Sequence, residues 1–165
     1  MKKVFLLMVA VLLMTACATS EERAARQAEN MKMLKASVGN QKYRISINQM
    51  TPKRGLSKTV SGHWLRVDSN TVTCSLPYAG RDDIPHMKTR SEARQDAHLE
   101  FKGETRNYVL RYQPKKETAD ITFEVDYSGS EYKFHINLDN TGRARVHVIP
   151  DDRDYIDYEG TVSAM

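Results

Sequence analysis

Apolar and polar residues alternate with a period of two along the second half of the chain. Ile121, Phe123, Val125 and Tyr127 are separated by Thr122, Glu124 and Asp126. Tyr132, Phe134, Ile136 and Leu138 alternate with Lys133, His135 and Asn137. Ala144, Val146 and Val148 alternate with Arg145 and His147. Side chains of a strand point to opposite faces in turn, so each run predicts a strand with one buried face and one wet face. The β-branched and aromatic content agrees. The stretch from Ala119 to Pro150 therefore reads as an antiparallel meander of three strands.

The turns set the register, because a slip of one residue would turn every side chain over. A type II′ turn at Gly129-Ser130 predicts Tyr127 opposite Tyr132, Val125 opposite Phe134 and Phe123 opposite Ile136. In the next hairpin a loop of Asn140-Thr141-Gly142 keeps the apolar faces together, with Gly142 in the left-handed position of a bulged turn. On the wet face this places Asp126 opposite Lys133 and Asp139 opposite Arg143. It also puts Glu124, His135 and His147 in one row. Two imidazoles and a carboxylate are a metal-ligand set. A solvated row of cross-strand pairs, on a face that encloses little, is the stronger reading. The expectation is no metal and no cofactor.

The same pattern extends towards the beginning of the chain. Tyr43, Ile45 and Ile47 alternate, and Met50 to Ser57 is broken by Pro52 and Gly55 into a loop. His63 to Asp68 and Thr71 to Pro77 form a hairpin around Ser69-Asn70, with Leu65 opposite Cys74 and Val67 opposite Val72. Residues 78–97 are polar and long for a connection, a length associated with function or mobility. A short helix is expected from Ser91 to His98. Leu99 to Phe101 reads as an edge strand, Asn107 to Tyr112 as another strand, and Tyr155 to Val162 as the last. About nine short strands give a mainly β fold, an antiparallel β-sandwich or partly closed barrel, in one domain over residues 42–165.

Ahead of the strands, Ala24, Ala28, Met31, Leu34 and Val38 recur at helical spacing. Thr19 and Glu22 make a capping box, and Gly39-Asn40 is a stop signal. The stripe is rich in Ala, so residues 17–41 read as a partly buried helical tether.

Lys2 and Lys3 precede an apolar run from Val4 to Met14. At about 1.5 Å per residue the run spans roughly 16 Å, about half a bilayer core, which suits a secretory signal and not a membrane span. Leu13-Met14-Thr15-Ala16-Cys17 resembles the lipobox of bacterial lipoproteins. That resemblance implies a signal peptide over residues 1–16 and an acylated Cys17 anchored in a membrane. Ala18 stands where an Asp would retain a lipoprotein at the inner membrane, so the resemblance implies the outer one. Loss of Lys2 and Lys3 lowers the formal charge from +4 to +2, and no basic stripe with interleaved aromatics marks nucleic-acid binding. With Cys17 acylated, Cys74 has no disulfide partner, and its place between Val72 and Leu76 makes it a small buried hydrophobe.

Catalytic signals are absent from the sequence: it has no GxSxG elbow and no HExxH. His63, His86 and His98 are scattered, and Asp82-Asp83 and Asp151-Asp152 read as solvated loop charge. The expectation is a protein that is not an enzyme. Two loops hold candidate binding residues, Arg54 and Gly55 in one and Tyr78, Gly80 and Arg81 in the other. Arginines that grip an anion and a Tyr that stacks on a ring or sugar are one reading. Turn chemistry is the other.

Several segments are similar to the bacterial lipoproteins of Bacteroides-type organisms grouped as domain of unknown function 4251. They are Tyr43 to Ile47, Met50 to Gly55, Leu65 to Val67, Leu76 to Arg81, Gly142 to Ala144 and Tyr158 to Gly160. The resemblance implies the fold and the envelope location, and no activity. Two functions follow from the residues. One is an envelope module that binds a protein or glycan partner. The other is a carrier of a small apolar ligand, which needs a cavity of at least roughly 300 Å³ lined by Tyr43, Trp64, Phe123 and Phe134.

Overall fold

A computed structural model describes residues 22, 25, 28, 29, 32, 35–79 and 98–165. The expected signal peptide, Cys17, Thr19, His86 and residues 91–97 of the expected helix lie outside them, as do Gly80 and Arg81, while His98, expected to end that helix, begins a strand. Nine strands are present among the described residues: β1 (Lys42–Pro52), β2 (Lys58–Asp68), β3 (Thr71–Pro77), β4 (His98–Glu104), β5 (Arg106–Gln113), β6 (Thr118–Tyr127), β7 (Ser130–Leu138), β8 (Arg143–Pro150) and β9 (Ile156–Ala164). They form one sheet in the order β4-β3-β2-β1-β9-β8-β7-β6-β5. All neighbouring pairs are antiparallel.

The two edges of this sheet meet. Eight antiparallel steps separate β4 from β5, so the two strands point the same way around the sheet. Only Thr105 lies between them in sequence. They run on as one bent strand whose first half pairs with β3 and whose second half pairs with β6. The second half begins with a register shift between Arg106 and Val109, where Asn107 takes a φ of 53°. Strands that bend or bulge are how sheets turn corners. The result is an antiparallel, nearly closed, barrel-like sheet.

Its interior is filled by the inward side chains that alternation predicts. Tyr43, Ile45, Leu65, Val67, Ile121 and Tyr158 are fully buried. Phe101 meets Tyr132 at a tilt and Phe134 edge-on, Phe134 stacks on Phe123, and Phe123 stacks on Tyr108. Phe123 lies 4.8 Å from Phe134 and 5.9 Å from Tyr108 between ring centroids. Aromatic pairs at such distances add to the stabilisation from burial alone. Trp64 departs from expectation. It lies on the outer face, opposite Ser46 and Ser75, with the Arg44 guanidinium 4.9 Å from its ring.

Several boundaries differ from the sequence reading, among them that of the edge strand, which runs over all of His98–Glu104. β1 runs on to Pro52, because a bulge at Asn48 shifts the inward set from Tyr43, Ile45 and Ile47 to Met50 and Pro52. That phase change is what made Met50 onward read as a loop. β2 starts at Lys58. The β6–β7 turn is Ser128-Gly129, not Gly129-Ser130, and both residues have positive φ, 53° and 86°. That combination belongs to a type I′ turn, whose twist matches the flanking strands. Val125 therefore faces Tyr132 and Phe123 faces Phe134. The Ser69-Asn70 hairpin and the Asn140-Thr141-Gly142 loop follow expectation, with Gly142 at φ 82°.

The described positions between 22 and 39 are helical. Of the expected apolar stripe, Val38 is 1 % exposed and Ala28 is exposed, so the helix is buried at its C-terminal end. Tyr112 donates from its hydroxyl to the Lys35 carbonyl (3.0 Å), which ties that end to β5. The left-handed residue after the helix is Gln41 (φ 54°), while Gly39 remains helical.

Candidate functional site

Register carries the outward side chains into rows that cross the strands. One row reads Arg111, Asp120, Asn137, Arg145, Glu159 and Gln49, from β5 through β9 to β1. The next reads Val109, Thr122, His135, His147, Asp157 and Thr51. Strands lie about 4.8 Å apart, so a row of this kind is roughly 24 Å long. All of these residues except Gln49 line a groove of about 730 Å³ on the outer face of the sheet.

The groove side chains hold one another in place. Asp120 accepts hydrogen bonds from the side-chain amides of Gln113 and Asn137, the latter at 2.6 Å. His147 shares a hydrogen bond of 2.6 Å between its Nδ1 and Asp157 Oδ1. Its ring lies 6.2 Å from His135 and 4.9 Å from Tyr155, between centroids.

The predicted row of Glu124, His135 and His147 is broken. His135 does face His147, but Thr122 stands opposite His135 on β6. Glu124 faces Lys133 and accepts from the Asn107 amide at 2.7 Å. Asp126 faces Glu131, not Lys133, and pairs with Arg106 at 2.5 Å. The cause is the turn: closing the hairpin at Ser128-Gly129 moves each partner by two positions and leaves the faces unchanged. Asp157 is the carboxylate that reaches the imidazole pair. Among the described residues, no group of three His, Cys, Asp or Glu is arranged to hold a metal ion.

A second cluster forms where the loops after β1, β3 and β8 meet. Lys53 Nζ lies 3.0 Å from Asp154 Oδ1, and Asp154 is 4 % exposed. Tyr78 donates from its hydroxyl to the Asp154 carbonyl (3.0 Å), and Tyr158 donates to the Pro77 carbonyl (2.8 Å). Arg153 lies 5.5 Å from the Tyr78 ring centre and grips Asp152 through two bonds of 2.9 Å. That guanidinium holds the Asp152 carboxyl below the usual carboxylate range. Asp152 and Asp154 therefore are not simple solvated charge, whereas Asp151 is exposed, as the sequence reading expected.

The loop candidates fare differently from one another. Tyr78 is 7 % exposed and clamps the loop after β8, so it is a packed residue and not an open stacking platform. Arg54 and Gly55 are exposed, with Gly55 at φ 143°. Gly80 and Arg81 lie outside the described residues. Asp154 and Asp157 were missed because the irregular loop over 151–155 hides the phase of β9. Only the register of β9 against β8 would have revealed Asp157.

Cys74 is a free, buried thiol that burial pushes up to about 12. His63 stacks on His98 at 5.7 Å, and its buried Nδ1 has no hydrogen-bond partner among the described residues.

Comparison with known proteins bears on the fold. A DUF4251 family protein from Bacteroides eggerthii, known from a crystal structure, is similar with a TM-score of 0.62. The two share 14% sequence identity over 84% of this chain and 91% of that one, which is a likeness of fold alone. No curated protein matches the chain. The family described as Domain of unknown function (DUF4251) matches residues 25–162. That match spans nearly the whole chain, and the chain belongs to the DUF4251 family.

Proposed function

We propose that the protein is a lipid-anchored module of the cell envelope that binds a protein or glycan partner and performs no catalysis. Acylated Cys17 holds it at the outer membrane, and the tether over residues 17–41 leads into the β-domain. The observation that carries the binding reading is a groove of about 730 Å³ on the outside of a sheet whose inside is filled. Its volume lies within the range of ligand sites, roughly 300–1,000 Å³. The lipobox-like residues from Leu13 to Cys17 support the anchor.

A carrier of a small apolar ligand is the weaker reading. Of the side chains it needs around a cavity, Phe123 and Phe134 stack on each other at 4.8 Å. Tyr43 is fully buried with its hydroxyl 3.4 Å from that of Tyr108, and Trp64 lies outside. A carrier would require those rings to part.

Growth with an alkyne fatty acid tests the anchor. Label is expected on the chain and lost in Cys17→Ser, with the protein moving from the membrane to the soluble fraction. Label retained in Cys17→Ser would overturn the anchor. Crosslinking in intact cells tests the binding reading, with either a glycan or a protein expected to be captured at groove residues such as Arg145. Crosslinks confined to other faces would overturn the groove as the site.

A further inference from the structure

We infer that the outer groove is a site for an extended, uncharged oligosaccharide that lies across the strands. The inference rests on the binding reading above and names the ligand class for that groove.

Sugar hydroxyls donate and accept hydrogen bonds at once. Neighbouring hydroxyls are matched by planar side chains that present paired donors or acceptors. The first row supplies such groups on successive strands: Arg111 donates, Asp120 accepts, Asn137 does both, Arg145 donates and Glu159 accepts. The strand repeat of about 4.8 Å is close to the length of one pyranose unit, so successive units meet successive side chains.

Charge selects against other ligands. Arg111 stands opposite Asp120, and Arg145 opposite Glu159. Asp157 is bonded to His147. A polyanion would meet three carboxylates, and a polycation two guanidiniums. An uncharged chain of hydroxyls meets matched partners of both kinds. A peptide strand would add to a sheet edge, whereas this groove lies on a sheet face. The His147 ring lines the groove and, backed by Tyr155 at 4.9 Å, supplies an aromatic surface for the apolar face of a sugar ring. Asp120 and His147 are already held by protein partners, which lowers the cost of ordering them on binding.

The full chain in detergent would be titrated calorimetrically with neutral hexasaccharides of α- and β-linked glucose, xylose, mannose and N-acetylglucosamine. A heparin hexasaccharide is the charged comparison. At least one neutral hexasaccharide is expected to bind, and about tenfold more tightly than its disaccharide, because each unit adds its own hydrogen bonds. Asn137→Ala and Arg145→Ala are each expected to weaken binding about tenfold or more. Lys133→Ala, on the same outer face but outside the groove, is expected to leave it unchanged. Thermal melts establish that each variant is folded, and Arg145→Lys stands in if Arg145→Ala is not.

Failure of every neutral hexasaccharide to bind at millimolar concentration overturns the inference. So does binding that neither groove variant weakens. Heparin binding alone, or a protein crosslinked at Arg145 in cells, overturns the uncharged saccharide but leaves the groove as a binding site. Ligands and crosslinks found only on other faces overturn both.

Discussion

Gly160 sits where β9 passes the bulged part of β1, opposite Ile47. A Cβ at this position would lie 2.1 Å from the Ser46 carbonyl oxygen and 2.9 Å from its carbon. Backbone cannot give way as a side-chain tip can, so Gly160→Ala is expected to cost about 1–3 kcal/mol, the usual scale of overpacking. Gly39 is the contrast, since it is helical and a Cβ there meets none of the described residues within 4 Å. Gly39→Ala is expected to be neutral or to stabilise by roughly 0.5–1 kcal/mol. Urea denaturation of both variants measures the difference, and equal midpoints would contradict the close approach of β1 and β9. The sequence singled out Tyr158 to Gly160 only as a family-like segment. The need for glycine was not legible, because the obstructing atom belongs to a strand more than a hundred residues earlier.

Among the elements, the β6–β7 hairpin tests how far alternation can be read. The inward set of Phe123, Val125, Tyr132 and Phe134 was correct, while the partners were displaced by two positions. A shift of two preserves every face, so hydrophobic pattern cannot detect it. Turn chemistry decides it, and Ser128 in a left-handed conformation carries no glycine to announce itself. Ser128→Val is expected to cost about 1–2 kcal/mol, because a β-branched side chain resists that region more than serine does. Ser128→Asn is expected to cost nothing. Thermal melts would show the reverse order if the turn began at Gly129, since Ser128 would then sit in a strand that favours Val. The same displacement removed Glu124 from the imidazole pair and left the row to Asp157.

At the scale of the whole molecule, the buried acids predict how stability depends on pH. Burial raises the Cys74 thiol from 9.0 to about 12, and raises the Tyr43 and Tyr158 hydroxyls well above 10.0. Above about pH 9 the unfolded chain releases these protons while the folded chain keeps them. The unfolded state then binds fewer protons, so stability is complete below pH 9 and falls as the pH rises towards 12. Urea midpoints measured from pH 8 to pH 11 are expected to decline, and less steeply in Cys74→Ala than in the unaltered chain. A flat profile would mean that the three groups are reached by solvent. The buried thiol is also expected to resist iodoacetamide until the domain unfolds.

What the sequence determined by itself was local. The two-residue period marks a strand and its inner face from neighbouring residues alone. The loops at Ser69-Asn70 and Asn140-Thr141-Gly142 carry their own conformational preferences, so those pairings were legible in advance. Only the tertiary structure decided that β1 pairs with β9, that β4 bends through Thr105 into β5, and that the sheet thereby curls nearly closed. It also brought Lys53 to Asp154, and aligned Arg111, Asp120, Asn137, Arg145 and Glu159 across five strands. A period of two says which way a side chain points. Which strand lies beside it depends on how the whole chain shares one interior, and the candidate site is made of those neighbours.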